Sequence, residues 1–247
     1  MTYGVSSVLQ SLARAVFPPQ CALCDQTTIE DFVFCHSCWA AAEFIAGSVC
    51  DSCGCQVHGG SEGVVHCDDC LANPRPWGRG RAAMIYSGSA RRLVLGLKYG
   101  DRTELAKTAA RLLMTALGPI RPDAPVFVPV PLQYRRQLRR RYNQSALMAR
   151  ALADLIGPSA IYEPQSIQRQ GGSGSLRGLT RDERFGTLAD SISPHPKHGA
   201  RLRDRNVVLI DDVMATGATL SAATHASFAA GAKSVCVLTL ARATKDA

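Results

Sequence analysis

Beyond residue 75 this chain of 247 residues holds one cysteine, Cys236, although it carries ten in all. It also lacks any apolar run of about eighteen residues, so nothing in it predicts a membrane-spanning helix. The opening segment spaces Val5, Val8, Leu9, Leu12 and Val16 at helical intervals. It lacks the unbroken apolar stretch of a secretory signal and is expected to pack as a helix. A cytoplasmic location is therefore expected, and disulfides are the poorer reading of the cysteines. Acidic balance is missing too: 28 Lys and Arg against 20 Asp and Glu leave a net charge of +8. Such a charge attracts phosphates and nucleic acid without selecting any sequence.

What is present is concentrated. Nine cysteines fall between residues 21 and 70, and eight of the ten form the four C-x-x-C knuckles CALC, CHSC, CDSC and CDDC. Zinc takes four thiolates in a tetrahedron, and each knuckle offers two from one backbone turn. Two structural zinc sites are expected, one at Cys21, Cys24, Cys35 and Cys38, the other at Cys50, Cys53, Cys67 and Cys70. Cross-braced pairing is the rival arrangement; neighbouring closure needs shorter loops and is favoured. Cys55, beside Gly54, reads as a spare thiol, and His36, His58 and His66 are not needed as ligands. A four-thiolate site leaves no position for substrate. Residues 1–75 therefore read as a module in which metal replaces a core too small to build, with partner binding as a further role.

After the proline- and glycine-rich LANPRPWGRG the pattern changes. ARRLVLGLKYG, ELAKTAARLLMTALG and NQSALMARALADLIG have helical periodicity, the last two closed by Gly-Pro. PVFVPV, NVVLI and KSVCVLTLA read as strands, the last two continuously apolar. Residues 76–247 thus read as an α/β domain built on a mainly parallel sheet.

Within NVVLIDDVMATGATL, Asp211 and Asp212 are expected at the carboxyl end of a strand, where such sheets bind ligands. Ala215, Thr216, Gly217, Ala218 and Thr219 follow, small enough for backbone N–H groups to approach an anion at a helix start. Carboxylates repel a bare phosphate, so acids and loop must hold different parts of one ligand. A sugar phosphate has both parts, hydroxyls for the acids and a 5′-phosphate for the loop. No lysine stands in this loop, which excludes a nucleotide P-loop, and a lone glycine excludes a dinucleotide fingerprint. A phosphoacceptor receiver domain needs about a hundred further residues, and only residues 213–247 follow Asp212. The plain alternative is that the acids cap the next helix.

This stretch resembles the phosphoribosyl-diphosphate signature of type I phosphoribosyltransferases. Together with the cysteine knuckles, LKYGDR at 97–102, VPVPLQYRRQLRRRYNQS at 128–145 and LTRDER at 179–184, the chain resembles the ComF family of competence-associated proteins. The resemblance implies a type I phosphoribosyltransferase-like parallel sheet flanked by helices behind a double zinc ribbon. It implies that Asp211 and Asp212 take ribose hydroxyls and help place magnesium, and that Ala215 to Thr219 hold the 5′-phosphate. Pro129, Val130, Pro131 and Leu132 would be the diphosphate loop. Arg135, Arg136, Arg139, Arg140 and Arg141 are either a solvated basic face or contacts to diphosphate or a nucleic-acid backbone, with Tyr134 and Tyr142 placed to stack a base. Lys98 and Tyr99 read as a family contact or a helix end. Residues 166–190, rich in Gly, Ser and charge, read as a linker or as the family's flexible hood; a glutamine and an asparagine usual there are replaced around Leu176 and Thr187.

The implied activity is binding of phosphoribosyl diphosphate and transfer of its phosphoribosyl group to an unknown acceptor. The alternative is a non-catalytic protein binding single-stranded DNA during uptake, with DNA-uptake proteins as partners.

Overall fold

A computed structural model of the chain describes residues 17–57, 59, 63–132, 141–170 and 191–244. The N-terminal helical pattern, His58, Tyr134, Arg135, Arg136, Arg139, Arg140 and the hood from residue 171 to 190 lie outside the described residues.

Two short helices, α1 (His36–Ala40) and α2 (Asp68–Ala72), start directly after Cys35 and Cys67. Then come β1 (Gly80–Ile85), α3 (Gly88–Tyr99), α4 (Leu105–Leu117), β2 (Val126–Pro129), α5 (Gln144–Ile156) and β3 (Ile161–Tyr162). The strands β4 (Ile167–Arg169) and β5 (Ile192–Pro194) precede β6 (Asn206–Met214), α6 (Ala218–Ala229) and β7 (Ser234–Arg242). The main sheet runs β1-β7-β6-β2-β3 with every pairing parallel. β4 and β5 form a separate antiparallel pair, so the segment expected to open a linker at 166 begins as a strand.

Alternation along the strands divides the core. Phe127, Val208, Ile210, Leu238 and Leu240 face α3, α4 and α5, where Leu93, Leu97, Leu113, Met148 and Leu152 are fully buried. Val126, Val128, Val207, Leu209 and Val237 face the other way, against Leu220 and Ala223 of α6. Cys50, Cys53 and Trp77 belong to this second cluster, so the second cysteine module packs on the sheet.

That packing covers an edge. β1 ends the sheet and would otherwise offer its backbone to other chains. Residues before it fill the free side: Ile45 N–H donates to Ala83 O at 3.1 Å, Ile85 N–H to Glu43 O at 2.9 Å, and Gly80 N–H to Asp51 O at 2.8 Å. Asp51 also accepts from Arg81 at 2.7 Å and Arg79 at 3.0 Å, and Trp77 Nε1 donates to Ser52 O. Gly54 makes the approach possible. Its φ is +68°, and an added Cβ would lie 2.7 Å from Arg81 Cα and Ala82 N.

Gly54→Ala is accordingly expected to cost about 2 kcal/mol through backbone overlap and a left-handed φ, lowering Tm by roughly 4–8 °C. Thermal melts of the zinc-loaded chain check this; an unchanged Tm would show that the cysteine module and β1 are not in contact.

Candidate functional site

The strand that carries the acids is longer than NVVLI. β6 continues to Met214 because β7 stays paired with it: Asp211 lies opposite Thr239, Val213 opposite Ala241 and Met214 opposite Arg242. On its other flank β2 stops at Pro129, opposite Ile210, and Val130 N–H makes a last bond to Ile210 O at 3.0 Å. The acids stand where that flank has opened. They do not cap the following helix, whose N-cap is Gly217 with φ +85°.

The start of α5 fills the opening. Asn143 caps this helix, its Oδ1 accepting from Ser145 N–H at 2.9 Å and Ala146 N–H at 3.4 Å. Its Nδ2 donates to Val130 O at 3.0 Å, which ties the 129–132 loop to the helix. The next two side chains meet the acids: Gln144 Nε2 donates to Asp212 Oδ2 at 2.5 Å, and Ser145 Oγ to Asp211 Oδ1 at 3.1 Å. Lys98 of α3 reaches Asp212 Oδ1 at 2.8 Å. Tyr99 beside it is exposed, and Tyr142 donates its hydroxyl to Leu97 O at 2.8 Å.

The two acids therefore differ. Asp212 is buried, with both oxygens engaged by Lys98 and Gln144. Asp211 receives Ser145 Oγ and the N–H of Asp212, at 2.8 Å, on Oδ1 alone; among the described residues Oδ2 has no partner. Burial, and then the neighbouring Asp212 carboxylate, push the Asp211 carboxyl up to about 7.

The loop begins at Ala215, four residues beyond Asp211, and turns into α6 at Ala218. Thr216 Oγ1 accepts from Ala218 N–H at 3.4 Å, Ala215 is exposed, and Gly217 and Ala218 are buried. Two arginines absent from the sequence expectations lie behind it, Arg75 and Arg242. Pro131 and Leu132 are half-buried, and Arg141 is exposed with φ +63°.

The cysteines assemble in sequence order, which excludes cross-bracing. Cys21, Cys24, Cys35 and Cys38 form one set and Cys50, Cys53, Cys55 and Cys67 another, the four sulfurs of each within 4.8 Å of one another. A zinc–sulfur bond of about 2.3 Å places tetrahedral ligands about 3.8 Å apart. Cys24 and Cys35 are 3.5 Å apart, and Cys53 and Cys67 3.7 Å, so two four-thiol sets fit zinc. Backbone N–H groups of Leu23 and Cys35 support Cys21 Sγ, and Ser37 Oγ lowers the Cys35 thiol to about 6.

In the second set the sulfurs of Cys50, Cys53 and Cys67 group with that of Cys55, expected to be spare, and Cys70, expected as the fourth ligand, is not among the four. The left-handed turn at Gly54 brings Cys55 back onto its knuckle, while Cys70 Sγ accepts from Arg75 Nε at 3.4 Å. Hydrogen bonds from Cys53 and Cys55 hold the Cys50 thiol far below its usual range, whereas burial pushes Cys70 up.

Comparison with known proteins agrees with this layout. Residues 12–71 match a double zinc ribbon domain, and residues 104–247, more than half the chain, match a phosphoribosyl transferase domain. The DNA utilization protein YhgH of Salmonella typhimurium is 30% identical over 201 residues, covering 79% of this chain and 84% of that one. Competence protein F of Haemophilus influenzae is 27% identical, covering 85% of this chain and 96% of its own. Competence protein ComFC of Bacillus subtilis is 26% identical, with coverages of 90% and 94%. A solved hypoxanthine phosphoribosyltransferase from Staphylococcus aureus is 16% identical, covering 57% of this chain and 64% of its own at a TM-score of 0.36, a likeness too weak to carry an argument. Among the described residues no helix is long and apolar enough to cross a membrane.

Two outcomes are expected. In competition with a chelator, Cys55→Ser gives up one zinc per chain more readily than wild type, and Cys70→Ser does so less than Cys55→Ser. The reverse order would restore Cys70 as the ligand. The second concerns pH. The Asp211 carboxyl is raised from 3.8 to about 7 in the folded chain, so folding takes up a proton between those values. Its penalty on stability is absent below about 4 and complete above about 7. Asp211→Asn keeps the acceptor and removes the charge, so its Tm advantage over wild type grows from pH 5 to pH 7 and then levels. A pH-independent difference would show that Asp211 titrates normally.

Proposed function

This chain belongs to the ComF family of phosphoribosyltransferase-like proteins with an N-terminal double zinc ribbon, and we propose that it binds phosphoribosyl diphosphate with magnesium and transfers the phosphoribosyl group. The observation that carries this reading is the asymmetry of the acids. Asp212 is paired with Lys98, while among the described residues Asp211 Oδ2 has no partner, and a loop of small residues begins four positions on at Ala215. An unpartnered carboxylate oxygen suits a ribose hydroxyl, and the N–H groups of 215–217 suit the 5′-phosphate.

Each group has a duty in this reading. Asp211 holds the ribose hydroxyls and, with Asp212 near it, favours positive charge developing on the ribosyl carbon. Lys98 and Gln144 fix Asp212 in place, one on each carboxylate oxygen. The 129–132 loop is tied to α5 by Asn143, and in this reading it would receive the diphosphate. Magnesium, a hard cation that binds through one or two carboxylates and substrate phosphates, fits a site with one open carboxylate and would neutralise the leaving diphosphate. In the transfer the C1–oxygen bond breaks, diphosphate leaves with its electron pair, and the acceptor's lone pair forms the new bond to C1 as the acceptor loses a proton. Positioning and electrostatics supply the catalysis.

A second reading has support of its own. Relatives of this chain are named for DNA utilization and competence, and the net charge of +8 suits a phosphate backbone. In that reading the protein binds single-stranded DNA in uptake alongside DNA-uptake proteins, and the sugar-phosphate site is regulatory or vestigial.

Calorimetry with phosphoribosyl diphosphate and magnesium on the zinc-loaded chain tests the first reading. Binding is expected, about tenfold or more weaker in Asp211→Asn, because a charge-assisted hydrogen bond is lost, with zinc content unchanged. Diphosphate release is then measured against a panel of bases and amines. No heat in wild type would sink the site assignment; binding without turnover, together with salt-sensitive binding of single-stranded DNA, would put the second reading first.

A further inference from the structure

Three successive carbonyls of the phosphate loop are held from behind by two buried arginines. Arg242, across the sheet from Met214, donates Nη1 to Met214 O at 3.0 Å and to Ala215 O at 2.7 Å. Arg75 donates Nη1 to Thr216 O at 2.9 Å. Neither is a surface side chain: that of Arg75 is 2% exposed, and Arg242 as a whole residue is 7% exposed.

The direction of these bonds matters because a peptide group is planar and trans, so the C=O of one residue and the N–H of the next point opposite ways. With the carbonyls of Met214, Ala215 and Thr216 drawn toward the guanidiniums, the N–H groups of Ala215, Thr216 and Gly217 turn away from them. Among the described residues none of these three amides meets an acceptor. Successive backbone amides without acceptors can form an anion-binding concavity. Two fixed positive charges behind it add to the same field. Gly217 suits this turn: its φ is +85°, and a Cβ there would lie 3.2 Å from Arg75 Nη1 and from Trp77 Cη2, closer than ordinary van der Waals contact.

Arg75 does more than hold one carbonyl. Its planar fork points at three acceptors on different parts of the chain: Thr216 O, Asp69 Oδ2 at 2.6 Å, and Cys70 Sγ at 3.4 Å through Nε. Asp69 and Cys70 belong to α2, the end of the second cysteine module. Lysine, with one ammonium, cannot span the three.

Resting on the phosphoribosyl reading of this loop, we propose that Arg75 and Arg242 are its positioning residues, aiming three amides at the 5′-phosphate, and that Arg75 makes the second zinc ribbon a structural part of that grip. Neither arginine touches the ligand. Both act by fixing the backbone that does.

The test uses the full zinc-loaded chain. Backbone 15N relaxation is followed at the amides of 215–217 without ligand, and ribose 5-phosphate is titrated calorimetrically. In Arg75→Met the affinity is expected to fall about tenfold or more, since a carbonyl loses its partner, and the order parameters at 215–217 to fall while those of β6 and β7 and the zinc content are unchanged. Arg75→Lys recovers part of the loss. Asp69→Asn, which reaches neither loop nor ligand, serves if Arg75→Met fails to fold; it should weaken binding about threefold by loosening a partly exposed ion pair. Wild-type order parameters and affinity in the arginine variants, or in Asp69→Asn alone where they do not fold, would overturn the proposal. If wild type binds no ribose 5-phosphate, the phosphoribosyl reading fails, and the relaxation measurement still decides whether the arginines hold the loop.

Discussion

A parallel strand whose neighbour ends early must satisfy the backbone left along its bared flank. β6 keeps β7 as far as Met214 but loses β2 after Ile210. Peptide groups alternate sides along a strand, so the Asp212 N–H faces the vacated flank, and Asp211 Oδ1 takes it. The same side chain accepts from Ser145, whose helix is capped by Asn143 and anchored to Val130 beside the end of β2. The early stop of one strand thus creates the opening, orients one acid and recruits the helix that steadies both.

The cysteine module solves a different problem of the same sheet. β1 lies at the edge, and about seventy residues cannot build a core large enough to stand alone. The module borrows its core from the sheet, placing Cys50, Cys53 and Trp77 against Val207, Leu209 and Val237, and in return covers the free side of β1. Cysteine module and sheet edge stabilise each other. Because α2 is joined to the 215–217 loop through Arg75, that exchange extends to the loop that follows the acids.

Charge is distributed with similar economy. A carboxylate pair side by side is costly, and Lys98 offsets one member while Asp211 bears the burial. Behind the loop, Arg75 and Arg242 each direct Nη1 at its carbonyls, and among the described residues the amides of 215–217 have no acceptor. The net charge of +8 is a property of the whole surface; the specific part of the electrostatics lies in these few buried groups.

Much was legible in the sequence because it is local. Helical periodicity located α3, α4 and α5 to within a few residues, apolar runs located β2, β6 and β7, and knuckle spacing announced two metal sets in sequence order. The acids and the small-residue loop were visible as a motif. Tertiary structure alone decided the rest. β1 has no period to read, since both its faces are buried. Cys55 and Cys70 differ only by a left-handed glycine turn and by an arginine five residues beyond Cys70. Asp211 and Asp212 look alike until Lys98 and Gln144, 114 and 68 positions away in the chain, engage one of them. Arg75 and Thr216, 141 positions apart, meet only when the module closes on the sheet, because side-chain spacing reports the period of an element and says nothing of which element will stand against it.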